Sequence, residues 1–389
     1  MSNARAIKWL TAGHFTTDVY SGLLNPLMPF VCAKLSIPLA VATVIIGTAH
    51  IFSSLLQPIF GFLADSTLKR SFIFWGLILS SIFIPLVAVS PTLGFLTLFM
   101  ILGSLGNSFY HPQALGFIIK FSDSSASKSM GIFMSMGSFG YSLGPIIAAV
   151  IIQNYGTEKL IYTMIIGLLL AASMFFCVPK MSDTAEAPHI GKFFTVLKTI
   201  MKNRIFDYLL IISMMKVIIS SSSMVLLPFL WKDDVRIQHT ALYIGVGLFL
   251  FIVATSLGTL ISRKLECKFG TKRLLYFSMI MTFPLMFGFS YFYHINHLIA
   301  LALYVTTGFI SSFAQPITMV MAQKLFPEYK SIIAGFINGV CWGVIAILLS
   351  FLGTVCEKIG ITTVLAIISF APLISSVFVK YLNEDYDKV

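Results

Sequence analysis

Gly13-His14-Phe15-Thr16-Thr17-Asp18-Val19-Tyr20-Ser21-Gly22 lies in the middle of the first long apolar segment of the chain. Read as a helix, it sets an imidazole and a carboxylate four residues apart, on one face. The segment around it, about Ile7 to Val31, is long enough to cross a bilayer. A carboxylate at that depth is costly unless it is paired, hydrated or protonated. The stretch therefore reads as a polar site inside a membrane-spanning helix, with the rest of the chain as its scaffold, gate or partner.

Working outward, 57% of the 389 residues are hydrophobic and 11% are charged, with a mean hydropathy of +0.92. Soluble domains carry about 25% charged residues, so this composition excludes a water-covered surface. The expected class is an all-α polytopic membrane protein. A net charge of +11 could suggest nucleic acid, but the basic residues fall in alternate loops. Of 26 Lys and Arg, 20 lie on one side, 5 on the other, and Lys216 alone within a span. That is the positive-inside pattern and predicts both termini in the cytoplasm, with no nucleic-acid partner. The five cysteines have no metal-ligand or paired spacing and read as small apolar filler. No cleavable signal pattern is visible at the N-terminus, so the first segment is expected to remain as a helix.

Twelve spans are predicted. Helices 1 to 6 run from about Ile7 to Val31, Leu39 to Leu63, Ser71 to Val89, Leu93 to Ile119, Ser129 to Ile152 and Leu160 to Val178. Pro179 to Asn203 is the longest polar stretch and reads as a linker, part of which (Phe193 to Met201) has the pattern of a basic amphipathic helix on the inner leaflet. Helices 7 to 12 run from about Ile205 to Trp231, Thr240 to Ile261, Leu274 to Tyr293, Leu298 to Leu325, Ser331 to Val355 and Ile361 to Tyr381. The expected division is a six-helix bundle over 1–179, a cytoplasmic linker over 180–203 and a second bundle over 204–389.

The halves echo one another. Ser108-Phe109-x-x-Pro112 reappears as Ser312-Phe313-x-x-Pro316, a shift of 204 that also carries Gly131 onto Gly335; Pro29-Phe30 matches Pro228-Phe229 at a shift of 199. Their agreement predicts an internal duplication and two pseudo-symmetric bundles.

The ionisable groups within spans are few: Asp18, His14, His50, His111 and Lys216, with Asp207 near the inner end of helix 7. Asp18 is the only carboxylate deep in a span and can bind and release a proton, with His14 one turn away as hydrogen-bond partner. His111 precedes Pro112, whose missing N–H frees a backbone carbonyl. A permanently hydrogen-bonded brace is the alternative reading of His14 and Asp18. His50 fits a backbone bond or a substrate contact equally well. Lys216 could draw an anionic substrate or balance Asp18, and Ser220 to Ser223 could line a cavity or loosen helix 7. No Gly-rich phosphate loop, metal-ligand cluster or nucleophile triad is visible, so neither an enzyme nor a cofactor or metal is expected.

Gly61-x-Leu63-Ala64-Asp65-x-x-Leu68-Lys69-Arg70 resembles the inner-loop motif of the major facilitator superfamily, with Ser66 and Leu68 in place of an arginine and a glycine. In that family the glycine admits a close helix and the acid and bases form a cytoplasmic clamp, which implies a gating role for Gly61, Asp65, Lys69 and Arg70. The corresponding second-half loop keeps bases but has Ser262 where the acid is expected. Gly137-x-x-Gly140-x-x-x-Gly144-Pro145 resembles the glycine-rich motif of the antiporter branch, which implies a gate at Gly140, Gly144 and Pro145. His14-x-x-x-Asp18-x-Tyr20-x-Gly22, with Pro26 and Pro29, and Tyr110-His111-Pro112-Gln113 resemble the fosmidomycin-resistance-type transporters, where Glu is common at the place of Gln113 and Arg at that of Gly116.

The resemblance implies the major facilitator fold and proton-driven export of a small compound by alternating access. The expected proton-coupling residues are Asp18, His14 and His111. The expected substrate cavity is lined by Tyr20, His50, Asn107, Gln113, Lys216, Ser220 and Gln315. The expected partners are a small-molecule substrate, protons and the bilayer, for a monomer in a bacterial inner membrane. Lys216 and the missing Glu at Gln113 keep a metabolite importer or facilitator (organic anion, amino acid, nucleoside or siderophore) as the second reading. A non-transporting receptor or channel-like protein is the third.

Overall fold

The computed structural model describes residues 3–57, 59–60, 70–122, 126–179 and 198–382, and all the regular structure among them is helical. In the first half the helices are α1 (Asn3–Lys34), α2 (Leu39–Ser54), α3 (Arg70–Leu86), α4 (Leu93–Phe121), α5 (Ala126–Tyr155) and α6 (Met164–Cys177). Short 3-10 segments, Val87–Val89 and Thr157–Thr163, extend α3 and precede α6. The second half holds α7 (Arg204–Lys232), α8 (Thr240–Phe269), α9 (Thr271–Phe292), α10 (His297–Ser311), α11 (Ala314–Leu325), α12 (Lys330–Ile359), α13 (Ile361–Ile368) and α14 (Phe370–Val379). Ten described helical segments are long and apolar enough to cross a membrane, and α2 is a shorter apolar helix. The ten segments fall in spans three to twelve and α2 in span two; α1, which is not among the ten, fills span one. Most of the expected linker, the Gly61 to Lys69 motif and Pro58 lie outside the described residues.

Polar residues start the helices where the pattern turns apolar. Thr92 accepts from the Phe95 N–H at the head of α4. Asn203 Oδ1 accepts from Ile205 and Phe206 at the head of α7, and Asn296 does the same for Leu298 and Ile299 at α10. Such caps satisfy amide groups that have no intrahelical partner.

Two expected spans are divided. In span ten the regular helical hydrogen bonding is interrupted at Ser312 and Phe313, and in span twelve at Ser369, while the backbone at each stays in the α region. In each case a proline follows within three or four residues: Pro316 removes the donor due to Ser312, and Pro372 the donor due to Ile368. By contrast α4 and α5 remain helical through Pro112 and Pro145. The shared Ser-Phe-x-x-Pro sequence therefore sits in a continuous helix in one half and at a break in the other.

The chain forms two compact units, residues 1–188 with 228–249 and residues 189–227 with 250–389. The C-terminal end of α7 and the first part of α8 thus group with the first-half helices. In the first unit α1 packs along α5 and α3 along α4, around a core that includes Leu10, Leu77, Tyr110, Phe117 and Phe133. In the second unit the core includes Phe206, Leu275, Phe313, Ile317 and Ile345. Gly76 of α3 lies against the Gly106 carbonyl of α4, and Ser278 Oγ of α9 donates 2.8 Å to the Ile310 carbonyl of α10.

Candidate functional site

Three helices of the first unit converge on Asp18. From α1 itself, His14 Nε2 lies 3.3 Å from Asp18 Oδ2. From α4, His111 Nε2 lies 3.2 Å from Asp18 Oδ1. From α5, the Phe133 carbonyl is 2.8 Å from His14 Nδ1. The Phe133 ring stacks on the His14 ring, with centroids 4.0 Å apart and planes at 15°. The two imidazoles meet edge to face at 4.9 Å. His14 is almost enclosed, at 5% side-chain exposure, whereas Asp18 and His111 keep 16% and 23%. The approach to the site is therefore from the Asp18–His111 side.

The hydrogen bonds fix one tautomer. A carbonyl only accepts, so His14 Nδ1 carries the hydrogen that Phe133 receives. The nitrogen facing Asp18 is then Nε2. In a neutral ring it presents a lone pair, and facing an ionised carboxylate that pair would meet another lone pair. The contact is favourable when a proton lies between Nε2 and Oδ2, on either atom. His111 can donate Nε2–H to the other carboxylate oxygen. The arrangement is chemically a holder for one exchangeable proton.

Two further bonds hold α4 to α1 on either side of Asp18. Tyr110 Oη donates 2.7 Å to the Leu10 carbonyl, and Asn107 Nδ2 donates 2.7 Å to Ser21 Oγ. On the other flank, α5 reaches α1 through glycines. A β-carbon at Gly137 would come 2.6 Å from both Asp18 Oδ2 and His14 Nε2, one at Gly140 would meet the Phe15 carbonyl, and one at Gly144 would stand 2.5 Å from the Val19 carbonyl. These glycines serve close packing of α5 on α1 within the first unit. The Pro145 ring also lies against α1, its Cδ 3.1 Å from where a β-carbon at Gly22 would stand, while its carbonyl faces Gly245 of α8.

The expected cavity residues separate. Tyr20 is fully buried, its hydroxyl donating 2.6 Å to the Thr163 carbonyl and accepting from the Gly167 N–H at 3.1 Å. Gln113 is fully buried too. Tyr20 follows Asp18, and Gln113 follows His111, by two residues, which is about 200° around a helix. Both side chains leave their helices on the side opposite Asp18 and His111. Asn107 stays with the site, and its Oδ1 is buried with no partner among the described residues. His50 is half-buried on α2.

In the second unit, Lys216 is buried and donates 2.7 Å from Nζ to Gln315 Oε1. Beside this bond between α7 and α11, Ser213 donates 2.8 Å to Thr318 Oγ1. Ser220, one turn on from Lys216, is buried with no partner for its hydroxyl among the described residues. Of the expected gate, Gly61, Asp65 and Lys69 lie outside the described residues. Arg70 is seen to donate 2.6 Å to the Val178 carbonyl, just beyond the end of α6, and to lie over the Phe74 and Phe175 rings. A cation at the carbonyl end of a helix is favourably placed.

Sequence reasoning did not single out Phe133, assign a role to Tyr110, or bring His14, Asp18 and His111 together as possible metal ligands. His14, Asp18 and His111 bring their ligand atoms within 4.8 Å of one another. No linear spacing announces the cluster, because His111 arrives from a helix 93 residues further along.

The family model described as Major Facilitator Superfamily matches residues 10–351. The chain belongs to the major facilitator superfamily. As a superfamily transporter it is 25% identical over 380 residues to the Fosmidomycin resistance protein of Escherichia coli K12, covering 94% of this chain and 89% of that one. It is 21% identical over 375 residues to the uncharacterised MFS-type transporter YfnC of Bacillus subtilis 168, at 93% and 88% coverage. The resemblance to the fosmidomycin-resistance branch, carried in the sequence by the first half, thus extends over nearly the whole chain. Among solved structures, the nucleoside transporter NupG superposes with a TM-score of 0.78 at 14% identity, covering 97% of this chain and 98% of that one. A bacterial homologue of the human lysosomal transporter Spinster, inward-facing and occupied, superposes with 0.77 at 12% identity, covering 96% and 95%. At these identities the likeness establishes the fold. The chain is a membrane transporter of the major facilitator fold acting on a small molecule.

Proposed function

We propose that this transporter is a proton-coupled antiporter that exports a small organic compound by alternating access. The observation that carries the reading is the bond from His14 Nδ1 to the Phe133 carbonyl. It commits Nε2 to Asp18 and makes the pair's geometry depend on one proton. With the proton in place, α1, α4 and α5 close around it. On its release Nε2 and Oδ2 repel, and the packing of α1 on Gly137 is disturbed. This is a physical link between protonation and helix packing, which is what coupling requires. Export is favoured by the resemblance to a resistance protein, since resistance to a drug is consistent with its removal. In this reading Asp65 and Lys69 latch the cytoplasmic side, both termini face the cytoplasm of a bacterial inner membrane, and the protein works as a monomer.

The test is transport in proteoliposomes under an imposed pH gradient. Wild type is expected to drive substrate against the proton gradient, and Asp18→Asn to retain substrate counterflow with no response to pH. Unchanged pH dependence in Asp18→Asn overturns the reading.

The importer or facilitator reading rests on a different observation, the Lys216–Gln315 bond. A buried ammonium paired to a neutral amide suits an anionic cargo. Counterflow of candidate anions, with wild type set against Lys216→Ala, separates the two: import would need Lys216 and be indifferent to Asp18.

A further inference from the structure

We propose that His14 Nε2, His111 Nε2 and the Asp18 carboxylate form a three-ligand site for a divalent first-row transition ion of the Zn2+ type. Two imidazoles and one carboxylate are a donor set that suits zinc, cobalt or nickel. They do not suit magnesium or calcium, which take oxygen ligands. The spacing is near what an ion needs. Ligands about 2.0–2.2 Å from a tetrahedral ion lie roughly 3.3–3.6 Å from one another. His14 Nε2 is 3.3 Å from Asp18 Oδ2 and His111 Nε2 is 3.2 Å from Oδ1; the three ligand atoms fall within 4.8 Å, so the ion would draw the side chains inward.

The surroundings are those of a built site. A metal-binding histidine usually donates its other ring N–H to a carbonyl or carboxylate, which fixes the ring and selects the ligating nitrogen. His14 does this with the Phe133 carbonyl. The Tyr110–Leu10 and Asn107–Ser21 bonds fix α4 on α1, so His111 is held at its distance. The partial exposure of Asp18 and His111 leaves a way in for the ion and a position for a water as fourth ligand. The ion would span α1 and α4, occupying the place the proton holds in the coupling reading. The site shares its side chains with that reading but does not depend on it, because binding is measured on resting protein without substrate or gradient.

The experiment is calorimetric titration with ZnCl2, and with MgCl2 as control, of the full chain purified in detergent without a polyhistidine tag. Wild type is expected to bind one Zn2+ per chain, reversed by a chelator, and no Mg2+. His111→Gln is expected to weaken binding by about tenfold or more. His111→Cys should keep it, because a thiolate also ligates zinc. Asp18→Asn, isosteric and uncharged, should weaken it as His111→Gln does. A wild type that takes up no Zn2+ overturns the site, as does a His111→Gln protein that binds like wild type. Absent zinc binding in a protein that still responds to a pH gradient removes the ion site and leaves proton coupling standing. Zinc binding in a protein indifferent to the gradient does the reverse.

Discussion

Gly137 of α5 faces Asp18 of α1 so closely that a β-carbon would stand 2.6 Å from the carboxylate oxygen. Only hydrogen fits between the α5 backbone and the site. Gly137→Ala is therefore expected to push α5 away or displace the His14–Asp18 pair, at a cost of about 1–3 kcal/mol. The matched control is Gly131→Ala, on the same helix but with open space where its β-carbon would go. It should be neutral or slightly stabilising, by up to about 1 kcal/mol. Thermal unfolding in detergent and pH-driven transport of the two variants check this. Equal behaviour would show that the close approach has no consequence.

His14 and His111 both touch Asp18 but in different chemical roles, and their substitutions should differ accordingly. His111→Gln keeps an N–H that can reach Asp18 Oδ1. His14→Gln removes the ring whose Nε2 shares the proton. The pH-driven rate is expected to fall about tenfold further in His14→Gln than in His111→Gln, the factor that ~1.4 kcal/mol of proton affinity supplies. Rates measured across a range of imposed gradients would reveal it, and equal losses would count against the assigned tautomer.

Tyr110 ties α4 to α1 through one bond from its hydroxyl to the Leu10 carbonyl, and it is completely buried. Tyr110→Phe keeps the ring and removes one of two donors to the Leu10 carbonyl, which keeps its bond within α1. A loss of about 0.5–1.5 kcal/mol is expected, the net value of one hydrogen bond. The measurement is thermal unfolding of the detergent-solubilised protein, and an unshifted transition would refute the assignment.

Lys216 and Gln315 should respond in opposite senses. Lys216→Met replaces a buried ammonium with an apolar chain of similar length and is expected to be neutral or stabilising. Gln315→Leu leaves the ammonium in place without its acceptor and should destabilise by about 1.5–3 kcal/mol, the value of a hydrogen bond to a charged group. If both substitutions destabilise equally, the ammonium contributes to folding in some way the bond does not describe.

Much of this molecule is legible in its sequence because bilayer length and the 3.6-residue period are strong constraints. The twelve apolar stretches locate the helices, and the i,i+4 spacing of His14 and Asp18 states their shared face. The divisions at Ser312 and Ser369 were also available, since Pro316 and Pro372 each remove a backbone donor. Tyr20 and Gln113 travel with Asp18 and His111 in sequence, but an offset of two residues turns them to the far side of their helices. Phe133 and Gly137 could not be placed, because their role depends on the register of α5 against α1. A one-residue slip there rotates every α5 side chain by about 100°.

A histidine that spends one nitrogen on a main-chain carbonyl has lost the relay by which imidazoles pass protons, entering at one nitrogen and leaving from the other. His14 can load and unload only at Nε2 while its bond to Phe133 persists. The ring is thus a cul-de-sac, and no proton leaks through it as through a wire. Under the proposed coupling, sidedness would come from which compartment the Asp18 face meets, not from passage of a proton through the His14 ring.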